Sequence, residues 1–171
     1  TTFMRLIVEK VRPSPLRLVT PEGDDETVVR AATARRDQGV AKPMLIGSPD
    51  VIRKHAEEMQ LDLDGVEIID PKEEDSRFDS LADAYYFDRK RQGILRHKAA
   101  KILRHDRNVL GSMTVRQGLA DGMLTGRTAH YPDAPRPLLK VLGHDTAGPH
   151  HRVYGLYMLV LEAGCDIPGE G

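Results

Sequence analysis

The sequence lacks features that are typical of secreted, membrane-spanning or nucleic-acid-binding proteins. Its single cysteine, Cys165, excludes an internal disulfide framework. It contains no apolar run long enough to cross a bilayer and no signal-peptide pattern, so we expect a cytoplasmic protein with no membrane partner. The formal net charge of −1 produces no overall field that would attract nucleic acid, and we expect no nucleic-acid partner.

Several signatures of cofactor and metal sites are also missing. The sequence has no GxGxxG, GxxxxGK[ST], HExxH or CxxC pattern. It therefore does not predict a dinucleotide fingerprint, a P-loop or a common zinc site. His150 and His151 are adjacent, so on a strand they would point to opposite faces. We therefore predict no metal ion and no tightly bound cofactor. Cys165 has no evident local base, which favours a small apolar residue over a nucleophile.

Strand and helix signals alternate along the chain. An amphipathic helix is predicted over residues 1–12. Strands are predicted at 16–19, 43–47, 66–70, 122–124 and 152–162, and further helices at 27–39, 49–60, 77–93, 95–105, 107–118 and 135–143. Asp24 or Asp25 can cap the helix at 27–39, Gly39 is placed to end it, and Ser48 is predicted as the N-cap of the helix at 49–60. Strands separated by helices indicate a parallel sheet covered on both faces. The fold class predicted is α/β, a three-layer α/β/α arrangement with a mostly parallel sheet.

A basic run over residues 89–107 has two interpretations. It resembles a nucleic-acid stripe, but Ala99, Ile102 and Leu103 recur in it at helical spacing. No aromatic side chains interleave with the cations, and the rest of the chain is balanced in charge. The pattern therefore favours the solvated face of a half-buried helix.

Two loops follow predicted strands at the edge where open parallel sheets bind ligands. Glu22 and Gly23 follow the first strand, and Thr125–Asp133 follow the strand at 122–124. Gly126 allows a ligand to approach the backbone, and the helix that starts near Pro135 presents unpaired N–H groups that favour an anion such as phosphate. Arg136 lies in the first turn, where the helix dipole disfavours a cation unless an anion is nearby. The alternative is a solvent-facing arginine.

Several separate motifs, in the right order, resemble the phosphate acetyltransferase and phosphate butyryltransferase family. The resemblance is carried by PEGDDETVVRAA (21–32), GVAKPMLIGSPDVI (39–52), LDLDGVEIIDP (61–71), RKRQG (89–93) and ADGMLTG with RPLLKVLG (120–143). It implies a fold like that of the isocitrate and isopropylmalate dehydrogenases, with two subdomains beside a cleft. It also implies transfer of an acyl group between coenzyme A and phosphate, with acyl phosphate and coenzyme A as the small-molecule partners.

The resemblance implies a set of residues that bind substrate or coenzyme A. Arg89 and Arg136 match two family arginines, Thr125-Gly126 matches a Ser-Gly that opens the phosphate loop, and Cys165 matches a cysteine if a small gap is allowed. With the loop residues, the predicted binding residues are Arg89, Thr125, Gly126, Arg127, His130, Arg136 and Cys165. The loop departs from the family pattern, because His130 falls one place late and the bulky Tyr131 and Pro132 stand at small positions.

The resemblance also implies how the chain is organised. Family members are roughly twice as long, which predicts a leading helix over 1–14, a first α/β subdomain over 15–150 and the truncated start of a second subdomain over 151–171. The general-base aspartate of the family then lies outside these residues, and we expect this segment alone to be inactive. An alternative is the transferase-like domain appended to NADP-dependent malic enzymes, which senses acetyl-CoA and forms oligomers. Either function implies a homo-oligomer.

Overall fold

The computed structural model describes residues 2–73, 75–126 and 135–142. The strands are β1 (Leu16–Thr20), β2 (Ala41–Ile46), β3 (Glu67–Ile69) and β4 (Gly122–Met123). The helices are α1 (Thr2–Val11), α2 (Glu26–Asp37), α3 (Pro49–Glu58), α4 (Ser76–Arg89), α5 (Arg96–His105), α6 (Arg107–Arg116) and α7 (Pro135–Leu142), with a 3₁₀ turn at Lys90–Gln92. The strand predicted at 152–162 lies outside the described residues. No helix in the described ranges is long and apolar enough to cross a membrane.

The four described strands form one parallel sheet in the order β3-β2-β1-β4. β1 pairs with β2 along its whole length, from Leu16 opposite Ala41 to Thr20 opposite Leu45. On its other side, Leu18 and Val19 lie opposite the two residues of β4. The predicted α/β class and parallel sheet are confirmed, whereas the likeness to the dehydrogenases and the subdomain boundaries stay predictions.

Alternating side chains of β2 build two hydrophobic cores, one on each face of the sheet. Leu45 packs on one face with Val29 of α2 and Ile52 of α3. Met44 and Ile46 point to the opposite face, since successive residues of a strand alternate. That second core includes Phe78, Leu81, Leu103, Leu110, Met113 and Val141, which come from α4, α5, α6 and α7. Helices therefore cover both faces, as the three-layer prediction requires.

Aspartate side chains determine where three of the helices begin. Asp25, Asp75 and Asp106 are the N-cap residues of α2, α4 and α6, and each carboxylate accepts hydrogen bonds from backbone N–H groups of the first turn. The sequence left Asp24 or Asp25 open as the cap of α2, and the structure assigns this role to Asp25. Gly39 follows α2 with φ +69°, which fits the glycine predicted at its C-terminus.

Two local features differ from what the sequence pattern predicts. The helix predicted to continue to Gly93 ends at Arg89, because the chain tightens into the 3₁₀ turn and then reverses at Gly93 with φ +83°. Ser48 takes the predicted N-cap position of α3, but its side chain makes no cap hydrogen bond. Both differences arise from local backbone geometry that hydrophobic periodicity does not report.

An ion pair joins the beginnings of β1 and β4. The guanidinium of Arg17 donates to both carboxylate oxygens of Asp121, at 2.7 and 3.1 Å, and the Arg17 backbone N–H donates to the same carboxylate at 2.8 Å. These hydrogen bonds from Arg17 lower the pKa of Asp121 from 3.8 to about 2. The carboxylate thus stabilises the fold in its ionised form.

We expect Asp121→Asn to destabilise the protein in a pH-dependent way. Because the folded pKa is lowered, the stabilisation is complete above the ordinary pKa and disappears as the pH falls from about 5 towards 2. The difference in melting temperature between wild type and Asp121→Asn should therefore be largest near neutral pH and should shrink towards zero at acid pH. The control is Glu57→Gln, which removes the same charge from an exposed position of α3 and should show no such pH-dependent difference from wild type. A difference between wild type and Asp121→Asn that stays constant with pH would contradict the assignment.

Substitution of Leu110 tests the hydrophobic core that packs between the sheet and helices α4 to α7. Leu110 is fully buried in α6, so Leu110→Ala should lower the free energy of unfolding by about 2–5 kcal/mol through lost burial and the cavity left behind. Leu6→Ala is the matched control, since Leu6 is helical but 59% exposed. Urea denaturation of both variants measures the difference, and equal losses would show that Leu110 is not part of a tight core.

Candidate functional site

The order of strands creates a crevice at one edge of the sheet. From β1 the chain moves to β2 and β3 on one side, and it then crosses to place β4 on the other side of β1. The loops after β1 and β4 therefore leave the sheet side by side but turn in different directions. In open parallel sheets, such a switch point is where ligands bind, at the carboxyl ends of the strands.

An open cleft of about 790 Å³ lies at this edge. One wall is the loop that follows β1, and the other is the junction between α5 and α6. The lining residues are Pro21, Glu22, Asp24, Asp25, Ile102, His105, Asp106, Arg107 and Asn108. Glu22, which the sequence placed at the carboxyl end of the first strand, is thus part of the cleft.

Asp24 connects three parts of the cleft. One of its carboxylate oxygens lies 2.6 Å from the guanidinium of Arg107, and the other accepts a hydrogen bond from the Ser48 backbone N–H at 2.7 Å. The side chains of Asp24 and Arg107 are each about two-thirds buried. A side chain at Gly47 would collide with the Asp24 carboxylate, so this network requires glycine after β2.

The loop that follows β4 is attached to the same wall. The hydroxyl of Thr125 donates a hydrogen bond of 2.8 Å to the side-chain carbonyl of Asn108 in the first turn of α6. Gly126 then adopts φ +105°, a backbone conformation that favours glycine. The structure therefore places the predicted Thr125 and Gly126 beside the cleft, at the point where the chain leaves the sheet.

The helix N-termini at this edge differ in how their N–H groups are satisfied. Asp25 and Asp106 occupy the N-termini of α2 and α6 with carboxylates of the protein itself. By contrast, Pro135 begins α7, Ala134 precedes it, and the first turn has no acidic residue. Because Arg116 of α6 donates to the carbonyl of Val141, the C-termini of α6 and α7 lie together. The two helices also pack against each other.

α6 and α7 therefore run side by side in the same direction, and the first turn of α7 points towards the same edge as the first turn of α6. Helices that share a direction present the same ends to the same edge of a sheet. Position 136 belongs to that first turn of α7. The backbone thus brings Arg136 to the side of the sheet where Thr125 and Gly126 leave it.

The predicted binding residues do not all come together. Arg89 ends α4, and its guanidinium donates to the side chain of Gln92 at 2.8 Å. The adjacent Asp88 pairs with Arg116 at the far end of α6, so Arg89 lies roughly one helix length, about 15 Å, from the Thr125–Asn108 contact. Arg127, His130 and Cys165 lie outside the described residues. The role of each predicted binding residue stays a prediction.

The wall of the cleft that α5 and α6 provide was not predicted from the sequence. Neither Arg107 nor Asn108 was identified as a candidate site residue, although Asp106 directly before a helical pattern is a recognisable N-cap signal. What the pattern does not report is that the α5–α6 corner returns to the end of β1. Within the described residues, no group of three or more His, Cys, Asp and Glu side chains could hold a metal ion.

Comparison with known proteins identifies the family. A sequence profile described as phosphate acetyl/butaryl transferase matches residues 2–162, which is most of the chain. The chain therefore belongs to this family. A phosphotransacetylase crystal structure from Streptococcus pyogenes superimposes with a TM-score of 0.75 at 33% identity, covering 82% of this chain and 42% of that one.

Two kinds of curated relative match the chain. A phosphate acetyltransferase from Thermoanaerobacterium thermosaccharolyticum is 29% identical over 170 residues, which cover 99% of this chain and 50% of the relative. An NADP-dependent malic enzyme from Rhizobium meliloti is 32% identical over 155 residues, which cover 90% of this chain and 20% of the enzyme. The chain thus spans half of the first relative and a fifth of the second.

Substitution of Asp24 tests the network at the cleft. Asp24→Ala should lower the free energy of unfolding by about 1–3 kcal/mol, because the part-buried N–H of Ser48 loses its acceptor. Asp24→Asn keeps an oxygen for that N–H and loses only the charge that faces Arg107, so it should cost less, about 0–1 kcal/mol. Urea denaturation of the two variants makes the comparison. Equal losses would show that the Ser48 hydrogen bond contributes nothing.

Proposed function

We propose that this chain forms part of a phosphate acyltransferase that moves an acetyl or butyryl group between coenzyme A and phosphate. The observation that carries the proposal is that the family's sequence pattern and the switch-point cleft fall on the same residues. The family match covers every residue that lines the cleft, and it includes Thr125, which binds the cleft residue Asn108. Acyl phosphate and coenzyme A are the substrates, and no cofactor is consumed.

The proposed reaction is a displacement at the acyl carbonyl. The sulfur of coenzyme A attacks the carbonyl carbon of the acyl phosphate, a C–S bond forms, and the C–O bond to phosphate breaks. A general base takes the thiol proton, and inorganic phosphate leaves with the electron pair of the broken bond. By family resemblance the base is an aspartate outside these 171 residues, so this chain contributes binding and charge stabilisation.

The start of α7 is the best place at this edge for the phosphate. The N-termini of α2 and α6 hold the carboxylates of Asp25 and Asp106, which would repel an anion. α7 instead starts with Pro135 and Arg136 and carries no acidic residue in its first turn. Backbone N–H groups and a guanidinium at one place can hold a phosphate through charge-assisted hydrogen bonds.

A second candidate function is a binding domain without turnover. The malic enzyme relatives favour it, because they match most of this chain within a much longer enzyme that is named for a different reaction. The departures at Tyr131 and Pro132, which replace small residues of the family loop, also fit a site that binds acetyl-CoA without reacting. Such a domain would report the acetyl-CoA concentration to the enzyme that carries it.

An acyl-transfer assay on the natural polypeptide that contains this chain separates the two functions. Acetyl phosphate or butyryl phosphate is mixed with coenzyme A, and thioester formation is followed by ultraviolet absorbance. Turnover with either acyl phosphate supports the transferase. Binding of acetyl-CoA without turnover of either supports the second candidate, and neither binding nor turnover would refute both.

Arg136→Ala is expected to weaken the binding of phosphate or acyl phosphate by about 1.5–3 kcal/mol, the contribution of a hydrogen bond to a charged group. Titration calorimetry with inorganic phosphate measures this loss directly. Arg35→Ala is the matched control, since Arg35 lies in the last turn of α2, at the opposite edge of the sheet. Unchanged affinity in Arg136→Ala would remove this residue from the site.

A further inference from the structure

Asn108 joins helix α6 to the loop that follows β4. Its side-chain carbonyl accepts the hydrogen bond from the Thr125 hydroxyl at 2.8 Å, and the residue lines the cleft. Its backbone is held on both sides, because the N–H donates to the Asp106 carboxylate at 3.0 Å and the carbonyl accepts from the Ser112 hydroxyl at 2.7 Å. The side chain of Asn108 therefore extends from a well-fixed backbone to the residue with which the loop begins.

A glycine in the middle of α6 brings this helix close to β4. A Cβ atom at Gly111 would lie 2.9 Å from the sulfur of Met123, which is closer than side chains normally pack. Glycine weakens the interior of a helix, and this close approach gives a reason for its presence here. Asn108 lies one turn before Gly111 on the same face of α6, and Thr125 follows Met123 by two residues. The contact at Gly111 therefore sets the helix at the height where Asn108 meets Thr125.

The first turn of α6 is also connected to the loops that follow β1 and β2. Arg107, which directly precedes Asn108, pairs with the carboxylate of Asp24, and that carboxylate also accepts from the backbone N–H of Ser48. Two consecutive residues of α6 thus join the loops at the carboxyl ends of three strands. Because these contacts arise from different parts of the chain, they fix the position of Asn108 independently of the loop that it binds.

The hydrogen bond to Asn108 limits what the Thr125 hydroxyl can do. A threonine hydroxyl has one proton to donate, and its lone pairs can only accept. A proton that is donated to Asn108 is not available to a phosphate oxygen, which is itself an acceptor. In this geometry Thr125 therefore acts on a phosphate through the backbone that it holds, and that backbone turns at the next residue, Gly126, with φ +105°.

On the basis of the proposed function, we infer that Asn108 is a positioning residue for the binding of phosphate. It holds the Thr125 hydroxyl, so that the segment between β4 and α7 leaves the sheet from a fixed point. A site that is positioned before the ligand arrives binds more tightly, because less conformational entropy is lost on binding. Thr125 then contributes through Asn108 and makes no hydrogen bond of its own to the phosphate.

Titration of the natural polypeptide with inorganic phosphate tests the inference. Thr125→Val and Asn108→Ala each remove one partner of the bond, and each should weaken phosphate binding about fivefold, the effect of one neutral hydrogen bond. The double variant should lose no more than either single variant, because the two residues act as a pair. Thr125→Ser keeps the hydroxyl and should stay within about twofold of wild type. Gln117→Ala, which removes an exposed side-chain amide at the other end of α6, is the matched control.

Coenzyme A is the second ligand in this experiment, because a general disruption of the cleft would weaken its binding as well. Its affinity should change by less than about twofold in each variant, and an equal loss of both ligands would reduce Asn108 to a structural role and overturn the inference.

Three further outcomes are decisive. If Thr125→Val weakens phosphate binding and Asn108→Ala does not, the hydroxyl contacts the ligand directly and the inference is wrong. If the losses of the single variants multiply in the double variant, the two residues act independently and the inference is also wrong. In both cases the proposed function stands, whereas a wild type that does not bind phosphate would refute the proposed function and the inference together.

Discussion

The central position of β1 is the constraint on which the rest of the structure depends. β1 is hydrogen-bonded on both sides, to β2 along five residues and to β4 along two. To satisfy the second side, the chain must return from β3 across the sheet, and it does so through α4, α5 and α6. The crossing produces both the switch point and the helical layer that walls the cleft. Arg17 and Asp121 hold the amino ends of the same two strands together.

The cleft is organised by the protein's own carboxylates. Asp25 and Asp106 cap two helices, while Asp24 binds a guanidinium and a backbone N–H of a neighbouring loop. Each carboxylate therefore has a structural partner, and two helix N-termini are closed to a ligand anion. Under the proposed function, the phosphate is therefore assigned to the start of α7, which has no acidic residue in its first turn.

Much of the fold could be predicted from local patterns. The continuous apolar run of β2 and the helical spacing of apolar residues in α3 correspond to observed elements, because β2 is buried on both faces and α3 on one. The ends of elements were less predictable. Ser48 occupies the N-cap position of α3 without a side-chain hydrogen bond, and α4 is followed by a 3₁₀ turn. Both features depend on the local path of the backbone.

The sequence by itself determined the α/β class, the parallel sheet, a cap for α2 at Asp24 or Asp25, and the loop at Thr125 and Gly126, because each is encoded in local patterns. Only the tertiary structure decided which distant groups meet. Asp24 faces Arg107, which is 83 positions away, Thr125 binds Asn108, and Arg89 lies at the opposite end of α5 from the cleft. These relations follow from the order of the strands and the directions of the helices, which no local pattern encodes.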